Sequence, residues 1–202
     1  MLLTIEEIHN QIDECVLCSN FVERFCKPAS GLNRGTGDEI FVVGQSPGAT
    51  EVTSQRALSG GSGKRLDNWL VKCGRPASDP RADVYLTSIL KCPFTKTSDF
   101  GRMAANCRHF IEDQLAIIKP RLVITLGAES FKYLRITNLE YDAAIGELFF
   151  PAQQTFFAEQ PFAAMVHWPH PSGLNRWHNV TGNLGRLEES FKRVKAFLEE
   201  PA

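Results

Sequence analysis

Four of the six cysteines fall in a pattern that can hold a metal. Cys15 and Cys18 form a Cys-x2-Cys pair, and Cys92 and Cys107 a Cys-x14-Cys pair far along the chain. Four thiolates from two segments close a tetrahedral site, which suits structural Zn²⁺ or a [4Fe–4S] cluster, and spacing does not choose between them. The plainer alternative is a chance pair plus buried small hydrophobes, with Cys26 and Cys73 as unligated thiols and Cys26 as a substitute ligand. A second candidate is Gly44-Gln45-Ser46-Pro47-Gly48-Ala49-Thr50-Glu51, whose glycines admit close backbone approach and whose Glu51 supplies a carboxylate, unless it is a plain turn with a solvated acid. A third is His167-Trp168-Pro169-His170-Pro171-Ser172-Gly173-Leu174-Asn175-Arg176-Trp177-His178. Here the prolines stiffen a turn, Ser172 can meet a phosphate, and Leu174 is either a minor core residue or an exposed wedge; His167 and His178 read as structural. Gly60-Gly61-Ser62-Gly63-Lys64 looks like a phosphate loop but fails, since Leu58 replaces its first Gly and Arg65 its Ser or Thr.

These residues need a scaffold. Thr4 with Glu7 makes a capping box, and Ile5, Ile8 and Ile12 recur at helical spacing through Cys15. Short apolar runs at Ile40–Val43, Val84–Thr87, Leu122–Leu126 and Ala163–Val166 read as buried strands. Helical patterns lie at Leu66–Cys73, Met103–Ile118, Gly127–Leu134 and Leu184–Leu198, while Gly44 to Gly63 has no apolar period and reads as an ordered loop. Alternating strand and helix predicts an α/β fold, a three-layer αβα sandwich around a central four-stranded, mostly parallel sheet, with ligands at the strands' carboxyl ends.

Composition sets bounds. At 202 residues, 43% hydrophobic and 22% charged, the chain suits a single domain over 1–202 and excludes a disordered or fibrous protein. No run reaches the length of a membrane span, and the acidic N-terminal stretch is unlike a signal peptide, so an intracellular, cytoplasmic setting is expected. In a reducing compartment six cysteines point to metal or redox chemistry more than to disulfides. The net charge of −1 argues at first against a nucleic-acid partner. It hides a segregation: residues 54–76, 91–108 and 161–182 together hold ten bases and two acids, and the remainder is acidic.

The order Cys-x2-Cys, GQSPGATE, a strand ending Leu86-Thr87-Ser88-Ile89-Leu90-Lys91-Cys92, Leu122–Gly127 and His170-Pro171-Ser172 resembles the uracil-DNA glycosylase superfamily, most closely its iron–sulfur family 4 branch. The likeness covers roughly residues 12 to 195. It implies that Cys15, Cys18, Cys92 and Cys107 ligate a structural [4Fe–4S] cluster, with zinc the lesser choice. It implies that Glu51 orients water or stabilises positive charge on the sugar, and that His170 stabilises the departing base. Gly44, Gln45, Pro47, Gly48, Leu58 and Ser88 would line the base pocket; Ser172, Leu174, Asn175 and Arg176 would contact DNA.

Three departures stand out. Ser88 replaces the family's base-reading Asn, Leu58 its stacking Phe, and Gly48, as in other members of the family 4 branch, offers no bulk against a thymine methyl. A single hydroxyl cannot make both hydrogen bonds of the Asn amide. The expected activity is therefore a monofunctional DNA-base glycosylase, acting as a monomer on chromosomal DNA, that flips out uracil or a related lesion and leaves an abasic site. The rival is a non-catalytic iron–sulfur DNA-binding or lesion-sensing protein on the same fold.

Overall fold

The computed structural model describes residues 3–19, 39–54, 56–93, 99–151 and 161–201; Cys26 and the Gly31–Gly37 stretch lie outside them. Five strands, β1 (Ile40–Gly44), β2 (Val84–Ser88), β3 (Leu122–Leu126), β4 (Leu148–Phe149) and β5 (Ala164–Trp168), form one sheet in the order β2-β1-β3-β5-β4. The four anticipated strands pair in parallel, and β4 adds an antiparallel fifth at the edge of β5. Two residues are too few to show a period, which is why β4 escapes a sequence reading.

Alternation along the strands builds two cores. Ile40, Val42, Leu122, Ile124 and Trp168 face α3 (Gly61–Lys72) and α7 (Asn183–Glu199). Phe41, Val43, Val123 and Met165 face α4 (Phe100–Ile118). Helix α1 (Ile5–Glu14) lies outside α4, burying Ile8 and Ile12 against Phe110. Its capping box forms as the sequence predicts: the Glu7 N–H donates to Thr4 Oγ1 at 3.2 Å, and the Thr4 N–H to Glu7 Oε2 at 2.7 Å.

Two expectations are corrected. The stretch read as loop from Gly44 to Gly63 contains helix α2 (Ala49–Ser54), which buries no residue and so has no apolar face to announce it. Strand β5 extends through His167 and Trp168, two residues past the end of the apolar run at Ala163–Val166. His167 is fully buried, with Nδ1 2.6 Å from Thr125 Oγ1, and burial lowers its pKa to about 3. Helices α5 (Ala128–Tyr133) and α6 (Tyr141–Ala144) and a 3-10 turn at Arg176–Asn179 complete the described elements.

Candidate active site and cysteine cluster

Parallel register sets Gly44 opposite Ser88 and Thr125 opposite His167, so the segments after β1, β2 and β5 emerge on one edge of the sheet. They enclose a cavity lined by Gly44, Gln45, Pro47, Glu51, Leu58, Ser88 and His170. Gly48 does not line it. Gly48 sits at the start of α2, where its N–H donates to Glu51 Oε2 at 3.0 Å and holds the carboxylate back across the first turn.

His170 is set from its own loop. The Ser172 N–H donates to its Nδ1 at 3.2 Å, so a neutral ring carries its proton on Nε2. Burial lowers the His170 pKa, opposed by the negative charge of Glu51 and assisted by His178. Asn175 Nδ2 (3.0 Å) and His178 Nε2 (3.1 Å) both reach the His170 carbonyl, and Asn175 Oδ1 accepts from the Trp177 N–H. Of the four residues expected at DNA, Asn175 thus has both ends of its amide engaged within the loop. The Ser172 carbonyl accepts from Arg65 at 3.2 Å; Arg176 is exposed, and Leu174 is 93% exposed at the apex.

The cavity floor holds residues that sequence reasoning did not single out. Buried Lys91 donates to Thr87 Oγ1 (2.7 Å), the Ser88 carbonyl (2.8 Å) and Gln114 Oε1 (2.9 Å). Gln114 Nε2 donates to Tyr85 Oη at 2.8 Å, and Tyr85 meets His9 Nε2 at 2.7 Å. Burial brings the Lys91 pKa down to about 7. The available signals were a lysine inside an apolar run and Gln114 on the apolar stripe of α4 beside Phe110, Ile111 and Leu115. Ser88 Oγ donates to the Leu90 carbonyl at 2.6 Å, which leaves only lone pairs for a ligand.

Cys18, Cys92 and Cys107 are buried and Cys15 half-buried, where α1 ends against α4. Cys107 senses both Cys15 and Cys18: burial is the main cause that raises its pKa, the two thiols push it further up, and the Lys91 N–H and ammonium oppose them. Asn106 Nδ2 donates to Cys18 Sγ at 3.5 Å, the kind of outer contact that orients a thiolate ligand. The donor chemistry fits a thiolate-held group, although among the described residues no three side chains converge to metal-ligating positions.

The model of the uracil DNA glycosylase superfamily matches residues 34–199. The chain belongs to that superfamily. Among proteins of the superfamily, it is 30% identical over 134 residues to the type-4 uracil-DNA glycosylase of Pyrobaculum aerophilum, covering 65% of each chain. The Sulfurisphaera tokodaii type-4 uracil-DNA glycosylase is 28% identical over 202 residues, 98% of this chain and 86% of that one. The Thermotoga maritima enzyme of the same name is 29% identical over 131 residues, 64% of this chain and 65% of its own. The mostly parallel αβα fold is the one this membership requires, and no helix among the described residues is long and apolar enough to cross a membrane.

Proposed function

We propose that the chain is a monofunctional DNA N-glycosylase that takes a flipped base, uracil or a related lesion, into the cavity above β1 and β2 and hydrolyses its N-glycosidic bond. The observation that carries this is the convergence of Glu51 and His170, 119 positions apart in the sequence, on one cavity where His170 feels the negative charge of Glu51. Breaking the bond leaves positive charge on the sugar and negative charge on the base. Glu51 serves the first by facing the sugar cation or orienting the water whose oxygen bonds to C1′ as the C1′–N bond breaks. His170, held neutral by burial, serves the second with its Nε2–H donated to the base carbonyl. Lys91 is given no nucleophilic role, its ammonium donating to three acceptors in the floor.

Cys15, Cys18, Cys92 and Cys107 would hold a [4Fe–4S] cluster, and such a cluster would supply a covalent tie between the end of α1 and the segment running from β2 into α4. Iron with acid-labile sulfide in the purified protein supports this; a single zinc overturns it. The setting implied is an intracellular, monomeric enzyme working on DNA.

Base choice departs from uracil alone. The Ser88 hydroxyl proton is engaged by the Leu90 carbonyl, while the Gln45 carboxamide lines the cavity and has no partner among the described residues, so an amide edge is offered from β1 where the family offers one from β2. The same Ser88 and Leu58 favour the non-catalytic reading, which one experiment separates. Oligonucleotides bearing uracil, hypoxanthine, xanthine or a thymine mismatch are assayed with the wild type and with Glu51→Ala and His170→Ala. Excision should fall about 10²–10³-fold in each variant with DNA affinity retained. Binding without excision of any base establishes the non-catalytic reading, and uracil-only activity that rejects thymine refutes the altered base choice.

A further inference from the structure

Leu58 is one of two non-glycine residues with positive φ among those described, at +46°. An L-residue held there is strained by about 1–2 kcal/mol and needs outside support. That support comes from Arg81, which lies in the turn ahead of β2. Its Nη1 donates to the Ala57 carbonyl and its Nη2 to the Leu58 carbonyl, each at 3.0 Å, and its Nε donates to Asp67 Oδ1 of α3 at 2.5 Å. The Arg81 side chain is only 18% exposed. On the other side, Gly63 lets the Leu58 carbonyl enter the first turn of α3: a Cβ at 63 would stand 1.5 Å from that oxygen. Ala57 and Leu58 both line the cavity in which the base is proposed to sit.

We propose that Arg81 is a positioning residue for the base. It locks the turn at residues 57 and 58, in which Leu58 is left-handed, and so presents Leu58 as the aliphatic wall of the cavity, in partnership with Asp67 and Gly63. A fork that meets two carbonyls and a carboxylate at once is specific to guanidinium, and a lysine offers one point of charge in its place. The inference rests on the glycosylase reading, since a wall has a function only where a base is held against it.

The test is a double-mutant cycle between positions 81 and 58, read as KM and kcat on a single-stranded oligonucleotide carrying the best substrate base. Arg81→Lys in the wild-type background should lower kcat/KM about tenfold, carried mainly by KM, at a melting temperature that still leaves the protein folded at assay temperature. In Leu58→Gly, where no wall remains and glycine accepts the left-handed turn unaided, Arg81→Lys should change kcat/KM by less than twofold. Asp67→Asn, which keeps Arg81 itself, should show the same dependence on Leu58 to a smaller degree. Equal losses in the wild-type and Leu58→Gly backgrounds would mean that Arg81 serves stability alone, and the proposal fails. A wild type that releases no base fails the glycosylase reading and the wall with it, whereas an active wild type with additive losses fails only the wall.

Discussion

Gly48 has no left-handed backbone angle, so its presence is not explained by the shape of the turn. The explanation lies in Glu51, whose Oε2 would be 2.6 Å from a Cβ placed on residue 48, well inside contact distance. The same carboxylate oxygen accepts the Gly48 N–H at 3.0 Å, so residue 48 both holds the carboxylate and must lack a side chain to do so. Gly48→Ala therefore pushes the Glu51 head group out of place without touching the core, since residue 48 is exposed. A displacement approaching 1 Å at a reacting geometry costs on the order of 10²-fold in rate. Single-turnover excision by Gly48→Ala should fall by that order with the thermal midpoint nearly unchanged, and adding Gly48→Ala to Glu51→Ala should have little further effect. Unaltered excision by the single variant would show that Glu51 does its work from some other position.

The loop after β5 is built to hold one imidazole and expose one leucine. Its internal bonds converge on His170, with Asn175 and His178 on the carbonyl and the Ser172 N–H on the ring, while Arg65 fastens it to α3. A loop so braced can keep Leu174 in water at its apex, where its apolar side chain gains nothing from the folded protein alone. Under the proposed glycosylase reading, filling the gap left by an extruded base would give it a use, offsetting an unstacking cost of about a few kcal/mol that only a duplex imposes. Leu174→Ala should thus slow excision from duplex DNA about tenfold or more and leave single-stranded substrate within about twofold; equal losses on both would remove the wedge. The sequence made this loop legible by its order of residue types, since His170-Pro171-Ser172 follows an apolar strand, and made α1 legible through Thr4, Glu7 and its isoleucines. It concealed the inward turn of Asn175, because an amide that caps a 3-10 turn and one that reads DNA look alike in a sequence. It concealed α2 because a helix that buries nothing has no period, and it concealed the Lys91 floor because only tertiary packing shows which polar groups in an apolar run find one another.

Charge makes sense only for the molecule as a whole. A net of −1 is at odds with DNA binding until the bases are seen to cluster in three segments, and the fold thins that cluster. Lys72 pairs with Glu188, Arg75 with Glu39 and Asp83, and Arg108 with Glu112, while Lys91 is buried in the cavity floor. Arg102 lies on α4 and Lys96 outside the described residues, and Arg56, Lys64, Arg65 and Arg176 lie in segments that border the cavity: Arg56 precedes the Ala57–Leu58 wall, Lys64 and Arg65 lie in the first turns of α3, and Arg176 is in the His170 loop. None of the four makes an ion pair among the described residues, so each carries an unpaired charge for a phosphate, Arg65 while also donating to the Ser172 carbonyl. Every phosphate neutralised on single-stranded DNA contributes about −0.7 to the slope of log K against log salt. Four such contacts predict a slope of about −3 for a single strand, and alanine at any one of the four should make it shallower by about 0.7. Fluorescence anisotropy of a labelled strand titrated across a salt series measures it, with Glu51→Ala used so that the target base is not released. A slope of about −5 would mean that the paired bases Lys72, Arg75 and Arg108 open to bind DNA as well, and a slope near zero would remove this face from the DNA interface.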